Sequence, residues 1–220
     1  MDEAIEALLA ARNFLYSYLS RAFAAEPDEA FLEIVKSDYT YDMWTLLDGR
    51  GGEAEKLQRA LAVLAEKPSA LAESRSEYTR LFVGPDQLPA PPWESIYVSG
   101  EALLFQKSTL AVRDAYRASG FRAAGYPREA DDHIATELNF MAVLAERAYR
   151  AYESCEHGAL LDSLDAHERF LGHHTALWLG AFAERLEACG VSEFYASFAA
   201  LSVLFCTHES EVLKELQDSV

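Results

Sequence analysis

The residues best placed to do chemistry sit in two short blocks. Asp131-Asp132-His133 precedes an apolar-periodic segment, with Glu137 one helical turn beyond His133. A histidine beside carboxylates is an acid–base pair in outline, and a helix N-terminus would lower the histidine's pKa, a known tuning device. The plainer use of the same aspartates is to cap the helix that follows, each accepting a bond from a free backbone N–H. The two uses are compatible: one aspartate caps while Asp132 and His133 face a groove as a polar pair. The second block is Trp93-Glu94-Ser95, with Tyr97 four residues after the tryptophan. The two aromatics can staple a loop to a core. Glu94 between them suits a contact with an apolar, basic peptide, because carboxylates are seldom buried without a partner.

Other chemistries lack their residues. A di-iron carboxylate bundle needs Glu-x-x-His on two helices. The residues three before the six histidines are Ala130, Ser154, Leu164, Phe170, Leu171 and Phe205, none of them acidic. There is no H-E-x-x-H, phosphate-binding loop, dinucleotide fingerprint or nucleophile elbow. His133 and Glu137 are too few ligands for a metal, and adjacent His173 and His174 point about 100° apart on a helix. Neither a metal nor any other cofactor is expected. An acid–base enzyme built on Asp132, His133 and Glu137 would lack a nucleophile, and an acidic helical adaptor anchored by Trp93 and Tyr97 remains an alternative.

These blocks must be held by helices. Ile5, Leu8, Leu9, Leu15, Leu19, Ala22 and Phe23 recur at three- and four-residue spacing, one apolar helical face. Further helices are expected from Pro27 to Val35, Ala54 to Glu66, Ser69 to Phe82 and Glu101 to Ala118. Three more are expected over Asp132 to Tyr152, Leu161 to Ala188 and Ser192 to Phe205, with turns at Gly49, Gly51, Gly52, Gly120 and Gly190. No period-two run is long enough for a strand, so the expected fold is an all-α bundle. Two segments interrupt it. Gly84–Gly100 holds four of the seven prolines and reads as a long functional loop. Phe121–Ala130, with Gly125 and Pro127, leads into the Asp-His block. The chain reads as one domain over residues 1–220, with a subdivision, if any, near 84–100.

The 220 residues carry 36 acidic and 19 basic side chains, a net charge of −17. A chain of this charge gains nothing from counterion release on a phosphate backbone, so nucleic acid is excluded as a partner, and anionic membranes repel it. A basic partner fits. Residues 121–220 carry net −10 and residues 1–120 net −7, so the part holding the Asp-His block is the more acidic. The first eleven residues hold Asp2, Glu3 and Glu6 without a cation, unlike a secretory signal. The most apolar stretch, Phe194–Cys206, is too short for a membrane span, which needs about twenty residues. Cys155, Cys189 and Cys206 form no paired spacing and read as three buried thiols. A cytoplasmic protein without stable membrane insertion is expected.

Three blocks taken in order carry a resemblance. EYTRLFVGPDQLPAPPWESIY (Glu77–Tyr97), ADDHIATELNFM (Ala130–Met141) and FLGHHTALW (Phe170–Trp178) resemble the TorD/DmsD family of redox-enzyme maturation chaperones, which includes NarJ-type members. The resemblance implies an all-helical cytoplasmic chaperone, monomer or homodimer, for a molybdenum-cofactor oxidoreductase of the dimethyl sulfoxide reductase type. Its partners would be the twin-arginine signal peptide and the catalytic subunit of that molybdoenzyme, held back from export until the cofactor is in place. The family's peptide-binding Asp-His pair falls on Asp132 and His133, and its loop residues on Trp93, Glu94, Ser95 and Tyr97. Its late histidine falls on His174, with Trp178 and Glu137 as accessory positions.

Overall fold

The computed structural model describes residues 2–48, 52–66, 69–85, 87–99, 104–126, 129–190 and 193–219. Helices dominate: α1 (Glu3–Ala24), α2 (Glu29–Lys36), α3 (Asp38–Asp48), α4 (Glu53–Glu66), α5 (Ala70–Tyr78), α6 (Glu94–Val98), α7 (Lys107–Ala118), α8 (Ile134–Glu153), α9 (His157–Phe170), α10 (Ala176–Ala188) and α11 (Glu193–Ser219). π-helical turns follow α5 at Thr79–Val83 and α9 at Leu171–Thr175. Among the described residues there is no strand, only one isolated antiparallel bridge between Trp93 and His133. None of the described helices is long and apolar enough to cross a membrane. The all-α expectation holds.

The chain groups into two compact units: Met1–Ser20 with Trp93–Trp178 and Cys206–Val220, and Arg21–Pro92 with Leu179–Phe205. In the second unit, Phe23, Phe82, Phe182 and Tyr195 form an aromatic cluster with ring centroids 5.4–6.4 Å apart. Asp28 caps α2 by accepting from Phe31 N–H at 2.7 Å. The π turn after α5 closes at Gly84 (φ 98), whose N–H bonds the Thr79 carbonyl. That positive φ is open to glycine and strained for other residues.

The first unit is built on α8. Ile134, Leu138, Met141, Ala145 and Ala148 fall on one face and are buried. Cys155, in a left-handed conformation (φ 56), ends α8, and α9 packs back against it. Leu160, Leu164 and Phe170 supply the α9 face, and Tyr116, Phe121, Phe140 and Phe170 make a ring cluster. An ionic group lies inside this core. Arg12 donates through Nε to Glu209 at 2.6 Å and through Nη2 to His167 Nδ1 at 3.2 Å, tying α1, α9 and α11.

Several expectations change. The segment 84–100 is not wholly irregular, since it contains α6. The helix α3 was not expected, because its aromatic and β-branched Tyr39-Thr40-Tyr41 run has weak helix propensity. The last helix continues past Phe205 to Ser219. The expected Leu161–Ala188 helix begins at His157 and contains a π turn. Of the cysteines only Cys206 is buried; Cys189 is intermediate and Cys155 exposed, each unpaired. Gly49, Gly51, Gly100, Pro127 and the expected helix starts at Glu101 and Ser192 lie outside the described residues.

Candidate functional site

The two chemistry-bearing blocks meet in the first unit. The Trp93–His133 bridge brings them together, and Glu94 N–H donates to the Asp132 carbonyl at 2.9 Å. Asp132 Oδ2 then accepts from Ser95 N–H, also at 2.9 Å. A five-residue helix has several unmet N–H groups at its start, and Trp93 at its N-cap makes no side-chain bond. Asp132 supplies that acceptor from another part of the chain. The expected cap on α8 is therefore corrected: His133 is its N-cap, with Nδ1 accepting from Ala135 N–H at 3.1 Å.

Asp131 points elsewhere. Its carboxylate pairs with Arg113 Nε at 2.6 Å and its carbonyl accepts from Tyr116 Oη at 3.0 Å. Of the Asp132–His133 pair expected to face a groove, only His133 keeps partial exposure, while Asp132 is fully buried. Burial lowers the His133 pKa from its ordinary value to about 4. Its cap bond has the same sense, because Nδ1 accepts only when the ring is neutral.

Glu94 and Ser95 are buried as well. His174 Nδ1 donates to Glu94 Oε2 at 3.1 Å, so α6 is also held by the π turn after α9. Such turns reorient side chains relative to a regular helix, and this one delivers His174 and Thr175 inward. His173 turns outward and bonds the Arg169 carbonyl. Glu137 lies beneath, fully buried, its Oε2 accepting from Thr175 Oγ1 at 2.8 Å and Trp178 Nε1 at 3.2 Å. Burial, and next the charge of Glu94, push its pKa well above the ordinary carboxyl range. Both causes favour the protonated form of Glu137 over the charged one.

Aromatic rings cover this polar layer. Trp93 meets the His133 ring edge-to-face at 5.5 Å, and Tyr97 lies against Trp178 at 5.3 Å. Trp93, Tyr97 and His133 keep partial exposure over the buried Glu94, Ser95, Asp132, Glu137 and Trp178. The structure thus brings together all nine expected positions. Thr175, Arg113 and Tyr116 also hold the arrangement in place; residue spacing alone gave no sign of them. Chemically, His133 Nδ1 and Asp132 Oδ2 are each bonded to backbone N–H groups, an arrangement that presents a surface and does not join them as a proton-transfer pair.

Known proteins share this chain's pattern. The family described as nitrate reductase delta subunit matches residues 46–184. The chaperone protein TorD of Vibrio cholerae serotype O1 is 29% identical over 223 residues, covering 98% of this chain and 98% of that protein. The protein named "Probable Tat proofreading chaperone DmsD" of Haemophilus influenzae is 28% identical over 186 residues, covering 84% and 83%. The Tat proofreading chaperone DmsD of Salmonella typhimurium is 42% identical over 69 residues, covering 31% and 34%. These relatives are chaperones rather than enzymes. With most of its length matched in this way, the chain belongs to the nitrate reductase delta subunit family and, within it, to the TorD/DmsD redox-enzyme maturation chaperones.

Proposed function

We propose that this chaperone binds the twin-arginine signal peptide of a molybdenum-cofactor oxidoreductase of the dimethyl sulfoxide reductase type. It also binds the apo-enzyme and delays export until the cofactor is inserted, working in the cytoplasm. The observation that carries this reading is the aromatic surface of Trp93, Tyr97 and His133 backed by buried carboxylates. Large apolar side chains also lie exposed on the helices that follow: α6 packs on α7, and Val98, Leu104, Phe105 and Leu110 are all open to solvent in these helices and between them. Phe105 is held in a left-handed conformation (φ 59) while more than half exposed. An exposed apolar patch of this kind favours a partner's apolar segment.

A twin-arginine signal joins a basic start to an apolar middle. Burying one large apolar side chain contributes about 1.5–3 kcal/mol, whereas an exposed ion pair contributes about 0–1 kcal/mol. The apolar middle therefore supplies most of the affinity. The charge of −17 supplies approach rate and salt sensitivity. Glu94 and Asp132, being buried, act by shaping α6 and by their field. Ordering a disordered peptide limits the net affinity to about −8 kcal/mol, a micromolar dissociation constant.

The test is calorimetric titration with the signal peptide of a molybdoenzyme encoded beside this chain, its Lys-Lys form, and a form lacking the apolar segment. Deleting the apolar segment should abolish binding, and Lys-Lys should weaken it several-fold. Absence of binding to any such signal and to the apo-enzyme would overturn the proposal.

A further inference from the structure

A cavity of about 280 Å³ lies outside the surface just described, where α7 leads into the segment before α8. Its lining includes Arg113, Arg117 and Arg122, the rings of Phe121 and Tyr126, and Asp131. Three of the chain's 19 cationic side chains thus line one hollow, against one carboxylate, in a protein of charge −17. The guanidiniums of Arg113 and Arg122 both approach the Tyr126 ring, each Cζ 4.8 Å from its centroid.

The three cations are not equally committed. Arg113 gives its Nε–H to Asp131 at 2.6 Å. Arg117 meets Asp114 at 3.6 Å with both side chains largely exposed, a pairing of little strength. Arg122 has no carboxylate partner among the described residues and is held only against Tyr126. Two like charges on one ring repel each other, and the single aspartate leaves the lining with two positive charges in excess. An anion would relieve that repulsion. Guanidinium forks match the planar oxygens of a carboxylate or phosphate and bond them in pairs. The ring walls offer an apolar bed, and the volume lies just below the range of drug-sized ligand sites, about 300–1,000 Å³, which suits a small ligand.

We propose that this cavity binds a small anion with an aromatic body, the ring against Phe121 and Tyr126 and the carboxylate or phosphate on Arg122 and Arg117. Arg113, Tyr116 and Asp131 support both this cavity and the start of α8, whereas Arg122 and Tyr126 line the cavity alone, so variants at those two residues test it separately from signal-peptide binding.

Phenyl phosphate and phenylacetate, titrated into the full chain and followed by calorimetry and by NMR of the tyrosine rings, test the assignment. Inorganic phosphate and benzyl alcohol are the single-feature controls. Both aryl anions should bind with a dissociation constant on the order of 1 mM, as expected for ligands this small, and each control about tenfold more weakly. Tighter phenyl phosphate binding identifies a phosphorylated ligand, and tighter phenylacetate binding a carboxylate. Arg122→Gln and Tyr126→Leu, both outside the packed core, should each weaken binding about tenfold without moving the thermal midpoint. Failure of both aryl anions to saturate overturns the proposal. So does unchanged binding in both variants, or equal binding of inorganic phosphate alone.

Discussion

The Asp132 carboxylate accepts the Ser95 backbone N–H at 2.9 Å across 37 residues of sequence, capping a helix to which it does not belong. This single bond, with the neighbouring Glu94 N–H to Asp132 carbonyl, fixes the short helix α6 on the start of α8. Asp132→Ala leaves the Ser95 N–H buried and unmet, at a cost of about 1–3 kcal/mol. Overall helix content by circular dichroism should be unchanged, because α6 is only five residues. Hydrogen exchange at Ser95 should rise, and signal-peptide affinity should fall with it. Global loss of helix would mean that the pair sustains the whole unit.

His133 gives the site a pH dependence of known sign. Its pKa is lowered to about 4 in the folded chain, against about 6.5 in an unfolded one. Between those values the unfolded chain binds the extra proton, so stability falls as pH drops from about 6.5 toward 4. The loss is bounded at about 3 kcal/mol, less in practice because His133 is partly exposed. Urea unfolding of the parent and His133→Gln at pH 7 and pH 5 should show a smaller difference for the variant.

Glu137 has the opposite slope. Its folded pKa is raised by burial, so the folded chain holds a proton that the unfolded chain has released, and stability falls as pH rises above about 4.5. Glu137→Gln keeps the acceptor oxygen for Thr175 and Trp178 and removes the proton requirement. The variant should match or exceed the parent's stability at pH 7 and lose the slope. Glu137→Leu strands the Thr175 and Trp178 donors and should destabilise by about 1–3 kcal/mol.

Arg12 and Glu209 are both essentially fully buried and pair at 2.6 Å. Removing one partner leaves an uncompensated buried charge, so Arg12→Leu or Glu209→Leu should each cost about 3–5 kcal/mol. The double variant should cost less than either alone. A denaturation cycle over the four proteins measures the coupling, and simple additivity would contradict it.

Phe105 and Leu110 are more than half exposed, so replacing either with serine should change stability by no more than about 0.5 kcal/mol. Under the signal-peptide reading, each replacement removes an apolar contact and should weaken peptide affinity by about tenfold. Equal affinity in both serine variants would move the apolar contact elsewhere.

The helical face of α8 is legible because Ile134, Leu138, Met141, Ala145 and Ala148 repeat at the period a helix imposes. The same logic stopped the last helix at Phe205 too soon. Beyond it, the inward positions run Cys206, Glu209, Leu213 and Leu216, and a carboxylate in that row reads as solvent-facing. Its cation, Arg12, occupies the matching inward place on α1, a partner 197 residues away. Pattern reading scores each residue by its own polarity and cannot see a distant counterion. The short helix α6 was hidden among prolines for a similar reason, since the carboxylate that caps it lies on another segment.

By itself the sequence determined the all-helical class, the acidic balance and the three blocks that resemble a chaperone family, because periodicity, charge and motif order are local or additive properties. Only the tertiary structure decided which carboxylate does what. Asp131 holds Arg113, Asp132 caps α6, Glu94 meets His174, and Glu137 is buried as the acceptor for Thr175 and Trp178 with its pKa raised. Four similar side chains acquire four different tasks, because burial and partner geometry set a carboxyl group's role, and both depend on residues far away in the chain.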